Sequence, residues 1–168
     1  MRVAVTGTPG TGKTTATDLL DTELEVIHLN DLITEEGLTT GHDDGRDSAI
    51  ADLDAVRDHL DGRMDILVES HLAHNLPVDR VIVLRCHPET LEDRLADRGE
   101  SEASITENAE SEALDVILGE AVNRHGLESV YEIETTDRSP EAVTAEIESV
   151  IAGTREPSAG TVSYTEYL

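Results

Sequence analysis

A glycine-rich segment near the N-terminus carries the clearest chemical signal in the sequence. It reads Gly7-Thr8-Pro9-Gly10-Thr11-Gly12-Lys13-Thr14, which fits the pattern G-x-x-x-x-G-K-[ST]. Lys13 is the only lysine of the chain. In loops of this type backbone amides surround phosphate groups, the lysine reaches the β- and γ-phosphates, and the final hydroxyl ligates Mg²⁺. The segment therefore predicts a nucleoside triphosphate site built from Gly7, Gly10, Gly12, Lys13 and Thr14, with Thr15 extending the phosphate contacts.

The residues on either side of this loop have the context that the motif requires. Residues 2–6 are an apolar run typical of a buried strand, and residues 14–20 have a helical pattern. A strand that enters the loop and a helix that leaves it favour a phosphate site over the alternative, a coincidental glycine turn.

Short apolar runs alternate with helical patterns along the rest of the chain, which is typical of a parallel sheet covered by helices. We predict a P-loop NTPase of the α/β class, with five parallel strands and helices on both faces of the sheet. The predicted strands are residues 2–6, 25–29, 64–69, 80–84 and 130–133, and the predicted helices are residues 14–20, 47–60, 88–99, 106–123 and 139–153.

Two polar stretches, residues 30–46 and 100–104, are longer than simple connections require. Inserts above such a sheet are where a second substrate and a closing lid are placed, although acidic surface loops are the alternative. We predict one domain over residues 1–152, with a nucleoside-monophosphate (NMP) insert at about 30–46 and a lid at about 99–105. Residues 153–168 form a tail in which two tyrosines suggest docking, but disorder is the general expectation for a terminus.

The composition limits the environment and the partners of the protein. The chain has 12 basic and 37 acidic residues, a net charge of −25, and neither Phe nor Trp. This combination indicates a halophilic cytoplasm, where salt screens carboxylate repulsion, or alternatively an acidic surface that docks a basic partner. With no run of basic residues, direct DNA or RNA binding is not expected.

Single features of the sequence indicate a cytoplasmic protein in a reducing compartment. Cys86 is the only cysteine, which excludes an internal disulfide, and its place after an apolar run favours a packed thiol over a reactive one. The chain begins directly with a predicted strand, without a signal peptide, and no apolar run has the length of a membrane span.

Glu69 and His71 follow a predicted buried strand, at the edge where open α/β sheets bind ligands. A carboxylate at this position suits a metal ion, so Thr14 and Glu69 are the predicted metal residues. His71 is the predicted residue that orients or deprotonates an attacking water molecule. The alternative is a surface carboxylate beside a hydrogen-bonded histidine.

These segments together resemble the adenylate kinase isoenzyme 6 family, a group of adenylate kinase-like NTPases with archaeal and eukaryotic members. The resemblance extends from about residue 3 to residue 152. It rests on five segments: Thr6 to Thr15; Asp31-Leu32 with Glu35-Glu36-Gly37-Leu38; Gly41-His42-Asp43-Asp44 leading to Asp47; Val68-Glu69-Ser70-His71; and Val83-Leu84-Arg85 with Arg94-Leu95 and Arg98-Gly99.

The resemblance implies Mg²⁺-dependent phosphate transfer between ATP and AMP with accompanying ATP hydrolysis. It also implies the alternative of an ATPase that assists maturation of the small ribosomal subunit by binding a basic ribosomal protein. A kinase for another small acceptor is a third reading. The chain departs from the family at Glu69, where Asp is usual, and at Thr34, where eukaryotic members carry an arginine.

The resemblance also suggests roles for arginines and aspartates. Arg94 and Arg98 share a helix face and, as in adenylate kinases, would close over transferring phosphates; exposed ion pairs with Asp97 or Glu92 are the alternative. Arg138 lies in the loop that flanks the adenine in such folds, where stacking and solvation are equally compatible. Arg85 faces either substrate or solvent. Asp31, Asp43 and Asp47 would border the acceptor nucleotide, with ribose contacts or structural roles.

Overall fold

The computed structural model describes residues 1–44 and 48–168. Along the chain the strands are β1 (Arg2–Thr6), β2 (Glu25–His28), β3 (Thr39–Asp43), β4 (Ser48–Ala51), β5 (Ile66–Glu69), β6 (Arg80–Arg85) and β7 (Val130–Glu134). The α-helices are α1 (Lys13–Asp18), α2 (Leu29–Glu36), α3 (Leu53–Leu60), α4 (Pro88–Asp97), α5 (Glu102–Ala113), α6 (Val116–His125) and α7 (Pro140–Ala152). Short 3₁₀ helices occupy Ala73–Asn75, Leu127–Ser129 and Thr165–Tyr167.

Five strands form one parallel sheet in the order β2-β5-β1-β6-β7, which confirms the predicted α/β class and the predicted strands. The central strand β1 leads into the glycine-rich loop, and β5 lies beside it. The register pairs Val5 with Glu69 on β5, and His28 at the end of β2 with the same Glu69. The carboxyl ends of three strands therefore meet next to the loop.

Side chains that alternate along each strand build two apolar layers, one on each face of the sheet. On β1, Val3 and Val5 belong to the layer that α1 and α7 cover. Ala4 points into the opposite layer, which α2, α3 and α6 complete. The strands are apolar on both faces because helices cover both, as in other parallel sheets.

The region before α3 differs from the expectation of one helix over residues 47–60. The helix begins at Leu53, because the Asp52 side chain caps it by accepting a hydrogen bond from Ala55 N at 3.1 Å. The preceding residues pair instead as β3 and β4, an antiparallel pair outside the main sheet. Ile50, expected to face inward, lies on β4 and is 46% exposed. Residue Asp47 lies outside the described residues.

The predicted helix over residues 106–123 is two helices, α5 and α6. Asp115 separates them with a left-handed backbone (φ 56°), and its carboxylate accepts a hydrogen bond from Arg85 Nη2 at 2.5 Å. Aspartate tolerates this conformation better than most residues. As a result Val116, expected to face inward, is 39% exposed. The predicted insert at 100–104 is largely helical, because Ser101 caps α5 by accepting from Ser104 N.

The other polar stretch, residues 30–46, contains helix α2 and strand β3, neither of which was expected. The tail is also ordered, and the expectation of disorder is wrong. Ser158 N donates to Val130 O at 3.1 Å, and the Tyr164 side chain is buried against the body. None of the helices in the two described ranges combines the length and apolar character needed to cross a bilayer.

Candidate active site

The glycine-rich loop folds tightly between β1 and α1. Gly7 has a φ of 147°, and a Cβ atom there would lie 2.6 Å from the carbonyl oxygen of Leu84, so no other residue fits without a shift of the backbone. Within the loop, the carbonyl of Thr8 accepts from Thr11 N at 3.2 Å and from Thr11 Oγ1 at 2.9 Å. Gly12 has a φ of 92° and precedes α1 directly. Loops of this sequence type bind phosphate through backbone amides, and phosphate binding by this one stays a prediction.

Lys13 lies inside this loop and is 9% exposed. Its ammonium group donates to the carbonyl of Gly7 at 2.9 Å and to that of Thr8 at 3.2 Å. Burial lowers the pKa of Lys13 to about 8, and the negative charge of Glu69 opposes this shift. The ammonium group is thus charged at neutral pH and close to the acidic end of β5.

Thr14 and Glu69, the two predicted metal residues, lie together. The Thr14 hydroxyl donates to Glu69 Oε1 at 2.5 Å, and Glu69 is 4% exposed. Both supply hard oxygen atoms, the ligands that Mg²⁺ prefers. Across residues 1–44 and 48–168 no three His, Cys, Asp or Glu side chains cluster as a metal site. One hydroxyl and one carboxylate fit a cation that takes most of its ligands from phosphates and water.

Glu69, Lys13 and Thr14 line a cavity of about 200 Å³ together with His71, which the sequence had placed at this strand end. The remaining residues around this cavity are Pro9, Gly10, Gly12, Asn30 and Arg98. Burial lowers the pKa of His71 to about 4, and the charges of Lys13 and His74 act in the same direction. His71 is therefore neutral at pH 7, with a ring nitrogen able to accept a hydrogen bond.

A second cavity, of about 250 Å³, shares Gly10, Gly12 and Arg98 with the first. Arg94 lines it and donates to Gly10 O at 3.1 Å and to Thr135 O at 3.4 Å. Arg94 therefore bonds backbone carbonyls and does not form the alternative ion pair with Glu92. Arg98 is exposed and lines both cavities. The other lining residues are Gly10, Thr11, Gly12, Thr15, Ala16, Thr135, Arg138, Pro140 and Val143.

Arg138 reaches the second cavity but is anchored at its rim. Its Nη1 atom donates to Glu134 O at 3.0 Å and to Glu146 Oε2 at 2.5 Å. These two hydrogen bonds fix the guanidinium, so it is not simply solvated, and its stacking against a base stays a prediction.

Arg85 faces neither substrate nor solvent, so both expectations for it are wrong. Its side chain is fully buried and donates to the carboxylates of Glu112, Asp115 and Glu132 at 3.2, 2.5 and 2.7 Å. Burial disfavours its charge, but these carboxylates outweigh burial and raise its pKa. The neighbouring Cys86 is buried, as expected of a packed thiol.

Two residues near the site were missed from the sequence. Asn30, at the start of α2, lines the first cavity, and its Oδ1 atom accepts from Ser70 Oγ at 2.8 Å. His28 ends β2 and approaches Glu69, with 4.0 Å between Nδ1 and Oε2. A histidine at a strand end was a usable signal, because the carboxyl ends of neighbouring parallel strands meet.

Two of the three aspartates predicted to border the acceptor lie in the described residues, and neither lines either of these cavities. Asp31 is exposed on α2, and Asp43 is half-buried on β3. Their ribose or structural roles stay predictions. Thr34, where eukaryotic relatives carry an arginine, donates to the carbonyl of Asn30 at 3.1 Å.

The sheet order, the phosphate loop and the carboxylate at the adjacent strand end define a P-loop enzyme of the nucleotide kinase class. A solved structure of deoxyadenosine kinase from M. mycoides with bound dATP is similar to the chain, with a TM-score of 0.53. The superposition covers 90% of this chain and 100% of that one, at 14% sequence identity. At this identity the likeness concerns the fold alone.

Sequence relatives make the assignment more specific. A protein described as "Putative adenylate kinase" from Halobacterium salinarum is 66% identical over the full length of both chains, and one from Natronomonas pharaonis is 63% identical, again over full length. A counterpart from Methanosarcina acetivorans is 43% identical over 90% of this chain and 86% of its own. The family model of the AAA domain matches residues 3–115. The chain belongs to this archaeal adenylate kinase family, which confirms the resemblance inferred from its motifs.

Proposed function

We propose that the protein transfers a phosphoryl group from ATP to AMP in a Mg²⁺-dependent reaction, and that it hydrolyses ATP in the absence of an acceptor. The observation that carries this proposal is the convergence of Lys13, Thr14, Glu69, His71 and Arg98 on one cavity. The archaeal relatives described as adenylate kinases support the same reaction.

The donor nucleotide would occupy the glycine-rich loop and the larger cavity. Its base and ribose lie between Arg94 and Arg138, in the 250 Å³ cavity, and its phosphates follow the loop towards Lys13. This path ends in the 200 Å³ cavity, where the terminal phosphate meets Arg98. Both cavities are lined by Gly10, Gly12 and Arg98, which supports a donor that extends from one cavity to the other.

Charge neutralisation and positioning are the main demands of phosphoryl transfer. Mg²⁺, held by Thr14 and Glu69, would neutralise phosphate charge when it is bound. Lys13 supplies a buried positive charge at the β- and γ-phosphates. Arg98, exposed at the end of its helix, grips phosphate oxygens with its planar fork. Neutral His71 orients the attacking water by accepting a hydrogen bond from it when the reaction is hydrolysis.

The acceptor would enter from the side of α2, where Asn30 borders the cavity. Thr34 leaves this side without the arginine found in eukaryotic relatives, so we expect AMP turnover to be modest. The residues that line the cavity do not by themselves select AMP over other small acceptors.

A coupled assay for ADP production tests the proposal, with ATP, Mg²⁺ and each nucleoside monophosphate in turn at molar KCl. We expect fast, Mg²⁺-dependent ADP production when AMP is present. When AMP is omitted, ATP should be hydrolysed to ADP and phosphate at a slower rate. Turnover with a different acceptor and none with AMP would refute the acceptor assignment and leave the kinase class intact.

The hypothesis of an assembly factor for the small ribosomal subunit stays a prediction. Phosphate release measured with purified small-subunit proteins separates it from the kinase reaction. Stimulation by a basic ribosomal protein, with no response to AMP, would favour that hypothesis. The halophilic cytoplasm inferred from composition is likewise a prediction, which the salt dependence of activity tests.

A further inference from the structure

A buried carboxylate outside both cavities is connected to the phosphate loop. Glu112, on α5, is 3% exposed. Its Oε1 atom accepts from Thr8 Oγ1 at 2.9 Å, and its Oε2 atom accepts from Cys86 N at 2.8 Å and from Arg85 Nε at 3.2 Å. All three partners are donors, so the geometry matches an ionised carboxylate that accepts on both oxygens.

The residue that Glu112 holds is itself the support of the catalytic lysine. Thr8 is 1% exposed, and its hydroxyl donates to Glu112. Its carbonyl oxygen accepts from Thr11 N, Thr11 Oγ1 and Lys13 Nζ, at distances of 3.2, 2.9 and 3.2 Å. Thr8 thus connects the two residues, because its side chain bonds the Glu112 carboxylate and its backbone carbonyl bonds Lys13.

We propose that Glu112 is a positioning residue for nucleotide binding, which fixes Thr8 and thereby the loop around Lys13. The helix that carries Glu112 packs against α4, the helix of Arg94 and Arg98. The bond from Glu112 to Thr8 therefore ties the helical pair that supports these arginines to the loop that surrounds the phosphates.

If Glu112 only stabilised the fold, its loss should have the same effect as the loss of another carboxylate that pairs with Arg85. Glu132 is such a carboxylate and serves as the control. Glu132 is 1% exposed and accepts from Arg85 Nη1 at 2.7 Å. Its other oxygen accepts from Thr161 N at 2.9 Å, in the tail and away from the loop. Both carboxylates neutralise Arg85, but of the two only Glu112 contacts Thr8.

The test compares the substitutions Glu112→Gln and Glu132→Gln in the full chain at molar KCl. The amide that Glu112→Gln introduces has one acceptor oxygen, so it cannot accept from both Thr8 and the Arg85 and Cys86 pair. We expect Glu112→Gln to weaken the affinity for Mg-ATP, measured by calorimetry without any acceptor, at least about 10-fold. Both substitutions should lower the midpoint of thermal unfolding by similar amounts, because each removes a charge that faces Arg85. Glu132→Gln, however, should change the affinity for Mg-ATP less than about 2-fold.

Thr8 provides a second route if Glu112→Gln does not fold. Thr8→Val removes the donated hydrogen bond with little change of shape, and should weaken Mg-ATP affinity to the same extent, whereas Thr8→Ser should restore it. The double variant Thr8→Val/Glu112→Gln should be no weaker than either single variant.

Two outcomes would overturn the inference. One is wild-type affinity in Thr8→Val. The other is an equal loss of affinity in Glu112→Gln and Glu132→Gln, in proportion to their loss of stability. The inference rests on the proposed nucleotide site but not on the acceptor. If the wild type binds Mg-ATP and fails to phosphorylate AMP, the acceptor assignment fails while this comparison remains decisive.

Discussion

The hydroxyl of Thr14 lies 2.5 Å from Glu69 Oε1, although the two residues are 55 positions apart in the chain. The parallel pairing of β1 with β5 brings them together, because Val5 is aligned with Glu69 and the loop after β1 returns to the same edge. The two side chains together supply the oxygen atoms that the proposed Mg²⁺ site requires from the protein. Substitution of either residue should therefore change how the protein responds to Mg²⁺.

Glu69→Gln keeps the shape of the side chain and removes its charge. We expect at least about a 100-fold loss of ADP production, because a neutral amide is a poor Mg²⁺ ligand. The measurement is the rate as a function of Mg²⁺ concentration, and the half-saturating concentration should rise. The control is Glu25→Gln on β2, where Glu25 accepts from Arg63 at 2.7 Å at the surface. A wild-type Mg²⁺ dependence in Glu69→Gln would count against the metal assignment.

Lys13→Ala removes the buried positive charge inside the loop. We expect both ATP hydrolysis and transfer to AMP to fall below about 1% of the wild-type rate, since in the proposed site this charge neutralises the phosphates. Arg63→Ala is the control for loss of a surface cation, and its activity should stay within about 2-fold of wild type. Full activity of Lys13→Ala at high salt would show that the site is assigned wrongly.

Arg98→Ala and Arg94→Ala should have different kinetic effects. Arg98 is exposed and lines both cavities, so its loss should lower kcat at least about 10-fold with little change in thermal midpoint. Arg94 bonds the carbonyls of Gly10 and Thr135, and its loss should raise the KM for ATP and lower stability as well. Steady-state kinetics and thermal unfolding of both variants make the comparison. Identical profiles would contradict the separate roles.

The stability of the protein without nucleotide should fall as the pH decreases below about 6.5. Burial lowers the pKa of folded His71 from its ordinary value of 6.5 to about 4, so the unfolded chain takes up this proton first. The full stability is present above about pH 6.5 and is lost progressively towards pH 4. At pH 5 the expected loss from this residue is about 1–2 kcal/mol.

Urea unfolding at pH 7.5 and pH 5 measures this effect, with His71→Gln as the matched variant. The variant should lose less free energy of unfolding between these pH values than the wild type does. Equal losses in both proteins would assign the pH dependence to other groups, such as His74, whose pKa is also lowered by burial.

Tyr164→Ala tests how firmly the tail is attached to the body. Tyr164 is 5% exposed, its hydroxyl donates to Glu134 at 2.6 Å, and its ring lies 5.3 Å from the guanidinium carbon of Arg85. We expect a loss of about 3 kcal/mol in the free energy of unfolding. Tyr164→Phe keeps the ring and should cost about 1 kcal/mol. If Tyr164→Ala unfolds like the wild type, the tail contributes little to stability.

Structural features that depend on residues close together in the sequence could be predicted from it. The phosphate loop and the strand end at Glu69 and His71 follow from local patterns, and the structure brings them to one cavity. Arg85 was misjudged because its partners Glu112 and Glu132 are 27 and 47 positions away, and no local pattern links them. The division of one predicted helix at Asp115 has the same origin, since its carboxylate is a partner of this buried arginine.

The docked tail also has a consequence for the outer boundary of the sheet. β7 is the last strand of the order. Its backbone pairs with the tail, since Val130 O accepts from Ser158 N, Glu132 N donates to Ser158 Oγ and Glu132 O accepts from Arg155 Nη2. Exposed strand edges recruit strands from other molecules. A chain whose surface charges are screened by salt loses the repulsion that keeps copies apart. By pairing with β7, the tail would then prevent this strand from pairing with strands of other copies and forming fibres.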